Sequence, residues 1–132
     1  MLNTRLPFTV EAFVRGASLM DGARRYTSLV PAQLAKLAAE AKHDAFVFSM
    51  LRKFDAILVG GQQPNWADVQ ELISRGVNVV VSYGMTETGG GCVFDGEPLE
   101  GVSYRLQDSL IEIAGPTLAE GCGPWFQTND VG

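Results

Sequence analysis

AILVGGQQPNWADVQELISRGVNVVVSYG, residues 56–84, decides the fold. Ala56-Ile57-Leu58-Val59 is a continuous apolar run closed by Gly60-Gly61, the pattern of a strand buried on both faces. Asn65 then stands where a helix N-cap belongs, with Asp68 in the place of the capping-box acid, and Trp66, Val69, Leu72 and Ile73 share a helical face. Gly76 supplies the left-handed residue beyond the helix end, and Val77-Asn78-Val79-Val80-Val81 is rich in β-branched side chains. Residues 56–81 therefore read as strand, helix, strand, and a crossover of this kind joins parallel strands. Such strands present their carboxyl ends at one edge of the sheet, where ligands of open α/β sheets bind. Gly60-Gly61-Gln62-Gln63-Pro64 and the segment Ser82–Gly91 are the two turns expected side by side at that edge.

Outward from this unit, Val10, Phe13, Val14 and Ala17 space an amphipathic helix within Phe8–Met20. Arg25–Val30 reads as a short strand, and Pro31 suits the first position of the next helix, whose buried face is Leu34, Leu37, Ala38 and Ala41. Lys42 and His43 close that helix where cations meet the negative end of its dipole, and His43 is assigned no further role. Phe46–Phe54 reads as a short helix. From Cys92 onward no helical period remains. Short runs at Val102–Leu106 and Leu110–Ile113 are divided by Gly and Pro, and Asp95-Gly96 and Asp108-Ser109 sit where turns are expected. The expected class is α/β: a parallel sheet with flanking helices over residues 1–98, then the start of a β-rich portion over 99–132, with the boundary near Pro98.

The chain has 132 residues, 46% of them apolar, enough for one compact domain. With 15 acidic against 10 basic side chains the formal charge is -5. The basic footprint that tracks a phosphodiester backbone is missing, so no nucleic-acid partner is expected. No stretch approaches the run of about 18 apolar residues needed to span a bilayer, and the start MLNTRLPFTVEAF lacks the charged-then-apolar order of a leader, so a cytoplasmic protein without membrane insertion is expected. Cys92 and Cys122 lie in no metal-binding spacing and are read as free thiols. Most of the 15 glycines fall after residue 59, where turns and close backbone approaches are therefore concentrated.

In the second turn, Thr86 offers a hydroxyl to a phosphate oxygen, Glu87 a carboxylate to the Mg2+ that accompanies a nucleotide, and Tyr83 an aromatic plane to a base. The plainer alternative is that Gly84 and Gly89–Gly91 merely turn the chain while Tyr83 packs in the core.

These residues carry a resemblance. Ser82-Tyr83-Gly84-Met85-Thr86-Glu87-Thr88 is similar to the Tyr-Gly-x-Thr-Glu motif of the adenylate-forming enzymes, which include acyl-CoA synthetases and the adenylation domains of peptide synthetases. LVGGQQP at 58–64 resembles that family's Gly-Gly turn, and QTNDVG at 127–132 resembles its Thr-Gly-Asp motif, in the family's order. The resemblance implies that Gly60, Gly61 and Gln62 lie along an adenine, that Tyr83 stacks on it with Gly84 beside it, and that Asp130 holds the ribose hydroxyls. It further implies that Thr86 meets the α-phosphate, that Glu87 binds Mg2+, and that Gly89, Gly90 and Gly91 border an acyl pocket. Asn129 stands where the family usually has Gly, and Gln62-Gln63 replaces a commoner Ala/Glu pair.

The implied reaction activates a carboxylic acid with ATP as an acyl-adenylate and passes the acyl group to coenzyme A. The family's phosphate-gripping Ser/Thr/Gly/Lys loop and its small carboxyl-terminal domain are not in this stretch, so a fragment of a larger enzyme is expected, inactive alone and able to self-associate through exposed apolar surface. The alternatives are another acyl- or aryl-CoA synthetase, an amino-acid adenylation domain, or a stand-alone nucleotide-binding module without chemistry.

Overall fold

The computed structural model describes residues 7–132; residues 1–6, where the reading of the chain start as leaderless begins, lie outside the described residues. The chain divides into two compact units, Met1–Val80 and Val81–Gly132.

In the first unit, helix α1 (Val10–Ser18) begins at Thr9, whose hydroxyl accepts the Ala12 N–H at 3.1 Å, and it buries Phe13 and Ala17. Strand β1 (Tyr26–Leu29) leads into α2 (Pro31–Ala41), with Pro31 in the first turn as its sequence position predicts. Helix α3 (Ala45–Leu51) is capped by Asp44, which accepts from the Phe46 and Val47 N–H groups. Strand β2 (Ala56–Val59) lies parallel to β1 in the register Tyr26↔Ala56 to Leu29↔Val59. Asp55 fixes that register from below: its carboxylate accepts the Arg25 N–H at 2.8 Å and its own N–H donates to Arg25 O at 2.8 Å.

Helix α4 (Trp66–Ser74) opens on Asn65, which accepts the Ala67 N–H at 3.0 Å, and closes on Gly76 at φ 87°. The crossover then meets β2 where Ile57 N–H donates to Asn78 O at 2.9 Å, and the Asn78 amide donates to Asp55 O. The buried stripe of α4 is narrower than the expected one. Val69 and Leu72 are 1% exposed, whereas Trp66 and Ile73 are 50% and 44% exposed. At 3.6 residues per turn the latter two lie about 80° round the helix from the centre of that stripe, on its flank. Leu34, Leu37, Leu51, Ile57 and Val59 fill the core of this unit. Lys42 does more than face a dipole: its ammonium pairs with Glu71 at 3.1 Å and lies 3.8 Å from Asp68, tying the end of α2 to α4.

Strand β3 (Val79–Met85) starts in the first unit and runs into the second. The sequence predicts a strand ending at Val81 and a loop over 82–91; instead β3 continues through Met85. The reason is a partner: β4 (Gly90–Phe94) folds back antiparallel on it, Ser82↔Phe94 to Met85↔Gly90, so the backbone groups of the glycine-rich segment join a ladder. Only the turn Thr86–Thr88, a single turn of 3-10 helix, remains between the strands. The sheet is thus mixed, with a parallel pair in the first unit and antiparallel pairs in the second, and flanking helices keep the chain in the α/β class.

Strand β5 (Glu97–Pro98) follows β4 through Asp95-Gly96, both at positive φ, the two-residue hairpin turn expected there. Beyond Pro98 the hydrogen bonding passes to a separate antiparallel sheet of β6 (Ser103–Gln107), β7 (Leu110–Ala114) and β8 (Phe126–Val131), whose first hairpin turns at Asp108-Ser109. Cys92, Val93, Val102 and Ile113 form the core of the second unit, with Tyr83, Ile111 and Leu118 packed against it. Cys92 and Cys122 are both free thiols. Among the described residues, no helix is long and apolar enough to cross a membrane.

Candidate nucleotide site

The centre of the site is a bond between two strands from different sheets of the second unit. The Tyr83 hydroxyl on β3 donates to Asp130 Oδ2 on β8 at 2.7 Å, joining the SYGMTET and QTNDVG motifs. The aspartate is held from behind as well. Thr128, 2% exposed, donates its hydroxyl to Ile111 O on β7 at 2.8 Å and accepts the Asp130 N–H at 3.2 Å. Burial pushes the Tyr83 phenol up to about 12; the neighbouring Thr128 hydroxyl pulls the other way, and the Asp130 carboxylate adds to the rise.

This shift has a measurable consequence. The folded chain holds the Tyr83 proton more tightly than the unfolded chain, whose phenol titrates at its ordinary 10.0. The resulting stabilisation is whole below pH 10.0 and fades as pH rises through about 12. A tyrosine ring-carbon NMR titration is expected to show the Tyr83 phenolate only near pH 12, and titration at 10.0 in the folded chain would show the environment to be wrong.

The turn after Met85 is built by Thr88, a residue to which the sequence reading gave no role. Its hydroxyl, in a side chain 3% exposed, accepts the Met85 N–H at 2.9 Å and donates toward Gly90 O at 2.7 Å, with Met85 O at 3.0 Å. A threonine reaching back to the residue three places before it is a local capping pattern that the run Met85-Thr86-Glu87-Thr88 does contain. With Thr88 turned inward, Thr86 is exposed and Glu87 is half-buried. The main chain of Glu87 is pinned from the β7–β8 loop, where Ala119 N–H donates to Glu87 O at 2.8 Å.

Gly84 has a different reason to be glycine from the expected one. A Cβ there would fall on the Gly90 carbonyl, 2.6 Å from its carbon and 2.7 Å from Gly91 Cα, because the strands close together at a bulge between Tyr83 and Gly84. Gly91 is tight against the Phe94 ring, 3.0 Å for a Cβ, while Gly89 and Gly90 take positive φ at the start of β4. In the first unit, Gly60 donates its N–H to Leu29 O at 3.2 Å beyond the end of β2, Gly61 sits at φ 90°, and Gln62 is exposed.

Among the described residues no three His, Cys, Asp or Glu side chains converge into a metal cage. The donor set fits Mg2+ of the nucleotide-borne kind, which is usually bound through one or two carboxylates plus phosphate oxygens and waters. Glu87 is the carboxylate at that place in the turn.

No family model matches the chain. It is 40% identical, over 143 aligned positions and 99% of its length, to the probable 2-succinylbenzoate–CoA ligase of two Mycobacterium tuberculosis strains. The chain spans 36% of the length of these curated relatives. Among solved structures, the o-succinylbenzoate CoA synthetase of Bacillus subtilis in complex with its acyl-adenylate intermediate superposes with a TM-score of 0.76 at 21% identity, over 95% of this chain and 31% of that one. A malonyl-CoA ligase with methylmalonyl-CoA and AMP bound gives 0.73 at 24% identity, over 93% of this chain and 33% of that one. These structures share the fold, and the curated relatives match the sequence along nearly all of its length. The chain is thus similar along 99% of its length to a stretch amounting to 36% of 2-succinylbenzoate–CoA ligases, and it shares the fold of solved acid–CoA ligases.

Proposed function

We propose that this chain forms the adenine, ribose and acyl part of the site in an ATP-dependent acid–CoA ligase that activates o-succinylbenzoate, a step toward menaquinone. The observation that supports it best is the Tyr83–Asp130 hydrogen bond, which unites the two motifs the family uses for base and ribose. The narrower substrate assignment rests on TSLVPAQLAKL, ILVGGQQP and SYGMTETGGGCVFDGEPLEGV, and on the 40% identity to curated 2-succinylbenzoate–CoA ligases. In this reading residues 1–98 are the α/β portion of the AMP-binding domain and 99–132 begin a β-rich subdomain, a division supported by the change of sheet after Pro98. Its partners are ATP, coenzyme A and the carboxylic acid, in the cytoplasm and without nucleic acid.

Chemically, the acid's carboxylate attacks the α-phosphorus of ATP and pyrophosphate leaves; the thiol of coenzyme A then displaces AMP from the acyl-adenylate. Gly60, Gly61, Gln62 and Tyr83 bind the adenine, with Gly84 letting the backbone close behind it. Asp130 accepts from the ribose hydroxyls. The exposed Thr86 hydroxyl donates to the α-phosphate, where a directed hydrogen bond counts most as charge builds. Glu87 would hold Mg2+, which supplies charge neutralisation at the phosphates when bound. Gly89, Gly90 and Gly91 leave room for the acyl group.

The test is an amide NMR titration of the full chain with AMP and Mg2+. Shifts are expected at Gly60, Tyr83 and Thr86 and are expected to vanish in Tyr83→Ala. A well-dispersed spectrum that AMP leaves unchanged would sink the nucleotide assignment. An o-succinylbenzoyl-adenylate analogue that binds no better than a benzoyl one would sink the choice of acid alone.

A further inference from the structure

A carboxylate meant to receive two ribose hydroxyls must be aimed, yet Asp130 is exposed near the end of β8, where a side chain ordinarily samples several rotamers. One contact fixes the backbone that carries it and a second holds the carboxylate itself. Thr128 anchors the Asp130 N–H to β7 through its own bond to Ile111 O. The Tyr83 hydroxyl then takes Oδ2 at 2.7 Å, the length of a charge-assisted O–H···O⁻ bond. Oδ1 is the carboxylate oxygen that the Tyr83 hydroxyl does not engage.

The tyrosine is itself firmly placed. Its strand pairs with β4 at Tyr83↔Val93, and its ring packs against the core of Cys92, Val93, Val102 and Ile113. The proton needed for the bond stays on the phenol, since burial keeps that group neutral far above physiological pH.

We infer that Tyr83 is a positioning residue for Asp130: its hydroxyl, as distinct from its ring, sets the affinity for the ribose hydroxyls by fixing which carboxylate oxygen meets them. This rests on the nucleotide reading and adds to it a second function for one side chain, the ring serving the base and the hydroxyl serving the sugar at one remove. The hydroxyl accordingly confers discrimination between ribose and hydroxyl-free sugars.

Tyr83→Phe separates the two functions, because it keeps the ring and its packing and deletes only the donor. Binding of AMP and of 2′,3′-dideoxy-AMP is measured by calorimetry on the full chain, its Tyr83→Phe and Asp130→Asn variants, and the double variant. Tyr83→Phe is expected to weaken AMP about tenfold, as for loss of a hydrogen bond to a charged group, and to leave dideoxy-AMP within about twofold. In the Asp130→Asn background the same substitution is expected to change AMP binding little, since the group it positions is already altered. Equal weakening of both ligands, or unchanged AMP binding, overturns the inference while leaving the nucleotide site in place. Failure of the unaltered chain to bind AMP instead removes the nucleotide reading, and the inference with it. A readout without ligand guards against a variant that folds poorly: in Asp130→Asn the Tyr83 phenol is expected to titrate below about 12, and an unchanged value overturns the contact.

Discussion

Gly84→Ala is expected to unfold the hairpin that carries the site and to abolish AMP binding with it. The added methyl would lie 2.6 Å from the Gly90 carbonyl carbon and 2.7 Å from Gly91 Cα, and these are backbone atoms of the paired strand, with no flexible side chain to swing aside. Relief requires β3 and β4 to part at the bulge between Tyr83 and Gly84. That would break the Met85↔Gly90 pairing and pull the Thr88 hydroxyl from both strands, leaving a buried donor and acceptor unpaired. Overpacking typically costs about 1–3 kcal/mol where side chains can adjust, so the cost here lies at or above about 3 kcal/mol. Urea denaturation followed by tryptophan fluorescence measures it. A variant with unchanged midpoint and unchanged AMP affinity would show that the strands do not approach so closely.

Ile113→Ala is expected to be the most damaging truncation in the second unit. Ile113 is 0% exposed, and among the described residues it shares this core cluster with only Cys92, Val93 and Val102 as buried members. Burying so few apolar side chains leaves little reserve, and truncating a buried isoleucine costs about 2–5 kcal/mol in general. The residue also pairs with Tyr104 on β6 and Phe126 on β8, so the void opens between the strands that deliver Thr128 and Asp130. The expected sign is a lower denaturation midpoint together with weaker AMP binding. Ile113→Val, which keeps most of the volume, is expected to cost about 0.5–1.5 kcal/mol. Equal effects from the two variants would mean that something other than packing is being lost.

Much of the site was legible before any coordinates. Asn65, Pro31, Gly76 and the dipeptides Asp95-Gly96 and Asp108-Ser109 each act within one turn of chain, and each stands at the cap or turn its chemistry predicts. Tyr83, Thr86 and Glu87 were singled out by the chemistry their side chains offer in one turn and Asp130 through motif likeness, and the second unit brings Tyr83 and Asp130 into contact. Thr88 was passed over because its short reach back to Met85 looks, in sequence, like part of a flexible loop. Trp66 and Ile73 were placed on the buried face because periodicity defines a face only to within the width of its flanks.

The sequence by itself therefore determined the order and type of most elements, the α/β class, the turn positions and the residues worth testing, because those follow from local backbone preference and apolar spacing. Only the tertiary structure decided that β3 runs on to Met85, that Gly84 is required by a neighbouring strand, and that the Tyr83 hydroxyl meets Asp130. Each of these depends on a partner brought near by folding: Gly90 across a hairpin, or a carboxylate 47 residues away on another sheet. A backbone ladder or a single hydrogen bond of that kind leaves no periodic trace in the chain.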